Sequence, residues 1–166
     1  MDASSAFKDS LPTSPETLLD KLTSVDISFT THTHPPLRTV EDAKAFRGDL
    51  PGDLPGAHIK NLYLRDRKKR NFLVVVPEDR QIDLKSLGGQ IGSDRLSFGS
   101  ADRLFEMLGV RPGAVSPFTL INDPDHKVQL ILDADLVGQS CLYAQPLVNV
   151  MTLGLSGADL LRFTAY

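Results

Sequence analysis

The sequence predicts a mixed α/β fold, a single domain built on a strongly curved, barrel-like mixed sheet with helices outside it. Three observations carry that expectation. Short apolar, β-branched runs such as 71–76 (NFLVVV) recur between turn signals, giving about seven strands. Serines stand just ahead of helical patterns, as in Ser14-Pro15-Glu16. Helices and strands are interspersed irregularly, and without βαβ alternation a doubly wound parallel sheet is not expected.

Residues 1–13 are polar and aperiodic and read as a flexible leader to one domain, 14–166. Ser14 caps a helix with proline at its first position, and Leu18, Leu19, Leu22 and Val25 at helical spacing give it one apolar face. Residues 27–32 follow as a short strand. Thr39, with Asp42 three residues on, opens a second helix that Gly48 stops. The doubled DLPG of 49–56 forbids regular structure and reads as a surface loop. Segments 57–65 and 71–76 then form a hairpin. A short helix near 83–87, a strand at 95–98 and a helix from 100 to 108, closed by Gly109, come next. Residues 118–121, 128–132, 140–143 and 150–153 complete the strands, and Ser156 with Asp159 caps a last helix.

At 166 residues the chain can bury a core without disulfides or metals. Its 41% hydrophobic and 23% charged content is that of an ordinary globular protein. No apolar run is long enough to span a membrane, the N-terminus has no secretory apolar region, and Cys141 stands alone, so the cytoplasm is the expected location. A net charge of −3 argues against an indiscriminate coat for DNA or RNA. The distribution is uneven, however: between positions 60 and 70 six cations face the single acid Asp66. Arg67, Lys68, Lys69 and Arg70 read either as a solvated hairpin turn or as a local phosphate-binding patch suited to tRNA.

Common catalytic signatures are missing. There is no phosphate loop and no GxGxxG, and Gly154-Leu-Ser-Gly157 falls one residue short of a nucleophile elbow, which leaves Ser156 as a helix cap. His32 and His34 lie two apart without a third ligand, and His58 and His126 are isolated. One reaction class tolerates such poverty. Aminoacyl-tRNA is an activated ester beside its own ribose hydroxyl, and its hydrolysis asks chiefly for positioning, a cation and backbone amides.

The segments His58-Ile-Lys60-Asn61-Leu-Tyr-Leu-Arg-Asp66, Asp83-Leu-Lys, Arg95-Leu-Ser-Phe98, Leu108-Gly-Val-Arg-Pro-Gly-Ala-Val-Ser-Pro117 and Phe118-Thr-Leu-Ile-Asn-Asp123 resemble the YbaK/ProX family. The likeness is closest to its ProXp-ala (PrdX-like) branch of free-standing prolyl-tRNA editing proteins, related to the editing insertion of bacterial prolyl-tRNA synthetases. It runs over residues 13–163. The resemblance implies a YbaK-like fold, no metal or other cofactor, and hydrolysis of alanine from mischarged tRNA(Pro). It implies as partners the acceptor end of that tRNA, with prolyl-tRNA synthetase or an elongation factor alongside, and neither membrane nor DNA.

It also implies a site. Lys60 matches the family's lysine at the tRNA acceptor end, and Asn61 completes the pair of the alanine-specific branch. Gly113 opens the GxxxP loop that positions ester and water, Ser116 lies within that loop, and Thr31 and Arg95 match pocket and tRNA contacts. Gln145 departs from the pattern, which carries histidine there; glutamine still hydrogen-bonds but does not titrate. Because neighbouring strand residues face opposite sides, Lys60 and Asn61 both reach one substrate only if the strand bends or bulges. The Lys60-Asn61 pair and Asn122-Asp123 favour alanine. Cysteinyl-tRNA(Pro) hydrolysis and a non-catalytic tRNA- or synthetase-binding module stay open as alternatives.

Overall fold

The computed structural model describes residues 11–33 and 57–165; the helix expected at 39–47 and the DLPG loop lie outside them. In chain order the described elements are α1 (Pro15–Ser24), β1 (Thr30–Thr33), β2 (Ala57–Asp66), β3 (Asn71–Pro77), α2 (Leu84–Ile91), β4 (Leu96–Phe98), α3 (Ala101–Leu108), a 3₁₀ helix (Pro117–Asn122), β5 (Val128–Leu132), α4 (Ala134–Val137), β6 (Leu142–Ala144), β7 (Met151–Leu155) and α5 (Gly157–Thr164).

The strands form one mixed sheet in the order β1-β7-β6-β2-β3-β5, with β4 added to β2. The β2–β6 and β3–β5 pairs are parallel; β1–β7, β6–β7, β2–β3 and β2–β4 are antiparallel. Among the described residues the end strands β1 and β5 do not pair with each other, so the sheet is mixed and open, and the expected barrel-like closure is not seen.

Side chains alternate across a strand, so β3 feeds two cores. Leu73 and Val75 join the larger one, with Leu18 and Leu22 of α1, Leu104 and Leu108 of α3, Phe118, and Phe163 of α5. Phe72, Val74 and Val76 join the smaller one, with Leu64, Leu87 and Leu96. Burial on both faces explains why this strand reads as an unbroken apolar run rather than an alternating one.

The caps sit as expected. Ser14, Ser100 and Ser156 each accept a backbone N–H from three residues on, and Gly109 closes α3 at φ +66°. Two segments differ from the sequence expectation. Residues 118–121 are not a strand but lie within the 3₁₀ helix, because Ser116 caps it and Pro117 starts it. The four-residue α4, capped by Asp133, has too few residues for any periodicity to reveal it. At the start of the described chain Leu11 packs on the larger core and the Thr13 hydroxyl donates to Asn122 Oδ1 at 2.5 Å, so residues 11–13 dock on the domain.

Candidate functional site

β2 is the strand on which the candidate residues converge. Its register with β3 runs unbroken from Ile59↔Pro77 to Arg65↔Asn71. There is therefore no bulge at Lys60-Asn61, and the two side chains point to opposite faces. Lys60, opposite Val76, lies on the face of the smaller core; Asn61, opposite Val75, lies on the face of the larger one.

What brings them together is the edge. Along the side of β2 away from β3, β6 pairs only with Ala57 and His58, and β4 only from Leu64 to Asp66. Between these two, the stretch that holds Lys60 and Asn61 has no strand partner among the described residues. The Ala57 N–H donates to Cys141 and the Tyr63 carbonyl accepts from Gly99 along this same edge. By the alternation of an extended strand, the peptide groups of Asn61 are turned to it as well. A group seated in this gap meets backbone donors directly, with Lys60 above the strand and Asn61 below it. Both residues are half-buried, and Asn61 Oδ1 is fully covered without a hydrogen-bond partner.

The sheet register carries further residues to the same end. β6 stops at Ala144, one step past the His58↔Tyr143 pair, and delivers Gln145 toward the gap. The Gln145 carbonyl accepts the Leu147 N–H, a tight turn centred on Pro146 that holds Leu147 at φ +70°. A bulky residue in the left-handed region stores backbone strain. Asn149, two residues on, is wholly buried, yet neither Nδ2 nor Oδ1 has a partner. Buried amides normally cost free energy when left unpaired, so this one stands out. Asn149, in the segment Pro146-Leu-Val-Asn149 that follows Gln145, is not among the site residues the sequence predicts.

On the Lys60 face the histidines prove not to be isolated. His58 stacks on Tyr143 with centroids 4.9 Å apart, and His32 meets the same ring edge-on at 6.0 Å. Gly154 leaves room for this: a Cβ there would lie 2.6 Å from Thr30 Oγ1 and 3.0 Å from the Tyr143 ring. Burial, with help from neighbouring Cys141, pushes the Tyr143 phenol up to about 12, so it remains a neutral hydroxyl at physiological pH. His34 lies outside the described residues. Among those described, no three His, Cys, Asp or Glu side chains are grouped to hold a metal ion.

The 113–117 loop lies on the Asn61 side, since Ala114 and Val115 pack into the larger core. Gly113 has φ +93°, a conformation side chains resist. Ser116 is fully buried, its Oγ accepting the Phe118 N–H and its carbonyl the Thr119 hydroxyl; it caps the 3₁₀ helix. Asn122 and Asp123 are likewise structural. Asn122 donates to the Leu108 carbonyl, and Asp123 accepts from the Lys127 and Val128 N–H groups. Thr31, exposed on β1 opposite Leu153, shares the Asn61 side of the sheet.

The remaining cations gather at the far end of β2. Arg67, Lys68, Lys69 and Arg70 are exposed in the turn before β3, with Lys69 at φ +65°. Arg70 is already committed: its guanidinium binds the buried carboxylate of Asp66 at 2.7 Å. Arg95, exposed just before β4, belongs to this end and not to the Lys60 gap.

A family model described as Aminoacyl-tRNA editing domain matches residues 34–163. Prolyl-tRNA editing protein ProX of Acetoanaerobium sticklandii is 40% identical over 148 residues, 87% of this chain and 87% of that one. Prolyl-tRNA synthetase associated domain-containing protein 1 of Danio rerio is 36% identical over 144 residues, 86% of this chain and 76% of that one. Among solved structures, hypothetical protein APE2540 superposes with a TM-score of 0.70 at 21% identity, covering 89% of this chain and 93% of its own. A chain described as a proposed trans-editing enzyme for prolyl-tRNA synthetase does so with a TM-score of 0.69 at 19% identity, covering 92% and 93%. At such identities these two speak for the fold alone.

Proposed function

The chain belongs to the aminoacyl-tRNA editing domain family, and on that premise we propose that it is a trans-acting deacylase that hydrolyses alanine from mischarged tRNA(Pro). The observation that carries this reading is the edge of β2 away from β3, which between β6 and β4 has no strand partner among the described residues, with Lys60 on one face and Asn61 on the other. The name of the 40%-identical relative supports prolyl-tRNA as the substrate class. The names of the synthetase-associated relatives support a working partnership with prolyl-tRNA synthetase.

In this reading the acylated terminal adenosine enters the gap. Lys60 meets phosphate or ester oxygen as a point charge, and Asn61 hydrogen-bonds ribose or carbonyl. Backbone N–H groups of the Gly113 loop stabilise the oxyanion as water adds to the ester carbon. The bond from that carbon to the ribose oxygen then breaks, freeing alanine and restoring the ribose hydroxyl. The proton lost by the water reaches the departing oxygen by way of the neighbouring ribose hydroxyl. Gln145, which cannot titrate, is left to hold and orient. Thr31 and Ser116 tune the side-chain pocket, Ser116 by fixing the loop it caps, and Arg95 meets the tRNA outside the gap. The reaction is substrate-assisted and calls on no metal.

Side-by-side deacylation of alanyl-, cysteinyl- and prolyl-tRNA(Pro) tests the proposal. Alanyl-tRNA is expected to be hydrolysed fastest and prolyl-tRNA to be spared, since a rigid pocket excludes an oversized ring better than it rejects a smaller group. Faster cysteinyl hydrolysis would reassign the substrate. Binding without hydrolysis of any of the three would make the protein a tRNA-binding module.

A further inference from the structure

Beside the β2–β3 turn lies a recess of about 320 Å³, lined among others by Arg65 of β2, Lys69 of the turn, Ser97 of β4, and Ser100 and Arg103 at the start of α3. It contains none of the residues of the Lys60 gap. The register of β2 with β4 sets Arg65 opposite Ser97 and Leu64 opposite Phe98. Arg65 and Ser97 therefore share the face of Tyr63, while the Phe98 ring projects from the other face. α3 packs against the Tyr63 face, since Leu104 and Leu108 join that ring in the larger core. The two guanidinium groups converge there as well: burial raises the pKa of the Tyr63 phenol, and the charges of Arg103 and Arg65 both oppose that rise.

The donors around this recess are largely unspent. Arg65 Nε is buried without a hydrogen-bond partner, a state that folded chains generally avoid. Arg103 pairs through Nη1 with the exposed Glu106 at 3.3 Å, a surface contact of small worth. Ser100 Oγ accepts the Arg103 N–H at 3.1 Å as the cap of α3 and so keeps its own hydrogen to donate. The one carboxylate among the lining residues, Asp66, is taken by Arg70 at 2.7 Å and by the Asp94 N–H at 3.3 Å. Cations from three elements, with a hydroxyl beside them, suit a tetrahedral anion that accepts from several directions. A carboxylate is planar, and one guanidinium fork already matches it. Arg65 also stands four residues beyond Asn61 on the same face of β2, about 13 Å along the strand at ~3.3 Å per residue. A few nucleotides of single-stranded RNA cover that distance.

We infer that this recess binds one phosphate group, held by Arg65, Lys69 and Arg103 with the Ser100 hydroxyl, and that the RNA backbone a few nucleotides inside the acylated end supplies it. The inference rests on the RNA substrate of the proposed function but not on hydrolysis. The packing makes the recess a fixed one: Gly99, between Ser97 and Ser100, lies so close to Tyr63 that an added Cβ would fall 2.2 Å from the ring. The Tyr63 hydroxyl is in turn anchored on Asn71 Oδ1 at 2.6 Å.

The test is binding of uncharged tRNA to Arg65→Gln, Arg103→Gln and the double variant, read by fluorescence anisotropy over a salt series, with thermal unfolding confirming that each is folded. Inorganic phosphate, read as thermal protection, is a second probe, and a polyglutamate peptide a third. Each single variant is expected to weaken tRNA binding about tenfold. The double variant should lower the slope of log affinity against log salt by about 0.7–0.9, the share of one neutralised phosphate. In deacylation, Arg103→Gln should raise KM for full-length charged tRNA while leaving turnover of an aminoacylated adenosine unchanged. Loss of phosphate protection with tRNA binding intact would keep the phosphate site and overturn the RNA backbone as its source. Wild-type tRNA binding and wild-type phosphate protection in the folded double variant would overturn the proposal. So would selective loss of the peptide, which would assign the recess to an acidic protein. If no charged tRNA is hydrolysed yet the variants still lose RNA, the phosphate site stands and only the deacylase reading falls.

Discussion

The two ends of β2 carry similar residues and treat them in opposite ways. At the turn end the buried Asp66 carboxylate is fully matched, although Arg65 Nε has no partner. Asp66 accepts the Arg70 N–H at 2.9 Å, Arg70 Nε at 2.8 Å and the Asp94 N–H, and β4 covers the strand edge. Around Lys60 and Asn61 the outer edge has no strand partner among the described residues, Asn61 Oδ1 has no partner, and the buried Asn149, five residues past β6, is unpaired at both polar atoms. A folded chain satisfies its buried polar groups as a rule. The contrast therefore separates a place built to hold from a place built to receive, although lysines and short polar side chains occur at both.

The largest effect should come from removing the match. Asp66→Ala strands two backbone N–H groups and should cost about 2–3 kcal/mol, visible as a fall of several degrees in Tm. Burial alone would raise the Asp66 pKa, but the hydrogen bonds and charge of Arg70 and the Asp94 N–H outweigh it and hold the carboxyl below its usual value. Its folded pKa being depressed, its stabilisation is present above the unfolded value of ~4 and disappears as pH falls through the folded one. Acid unfolding of Asp66→Asn should thus be flatter than wild type below pH ~4; equal slopes would mean the carboxylate charge is not part of the match.

At the receiving end, Lys60→Ala should lower deacylation about ten- to a hundredfold or more with little change in Tm, as expected for one charge-assisted contact on a half-buried strand residue. Wild-type turnover by the folded variant removes Lys60 from the mechanism. Gly113→Ala should cost about 1–2 kcal/mol, because φ +93° is unfavourable to a side chain, and should slow single-turnover hydrolysis of alanyl-tRNA(Pro). The smallest effect belongs to the exposed turn. Neutralising Arg67, Lys68 and Lys69 should raise KM and reduce its salt dependence with kcat unchanged. Arg70 is left out of that set, since its loss would damage the Asp66 pairing and blur the comparison.

Caps, strand positions and the central hairpin were legible because each depends on a local signal. The opposite facing of Lys60 and Asn61 followed from alternation alone, while the absence of a bulge, and the edge as the way around it, needed the register of β3. The 118–121 segment shows propensity misleading: Phe-Thr-Leu-Ile is strand-like, but Ser116-Pro117 repeats the start signal of Ser14-Pro15 and prevailed. The stacked His58–Tyr143 pair joins positions 85 residues apart on two strands, so it had no signal in any one stretch of sequence. Nor could Asn149 stand out before its burial was known.

The pairing of β1 with β7 has a bearing on synthesis. Thr30 lies opposite Gly154, and Arg162 of the last helix donates to the Val25 carbonyl at the end of the first. A chain emerging N-terminus first must leave α1 and β1 without those contacts until about 120 further residues have been made. Sheets joined across such separations close slowly, because the loop entropy is lost before the contacts form. The nascent chain thus spends most of its translation with an unpaired edge, and the central hairpin of β2 and β3, with its seven paired positions, is the piece able to form first.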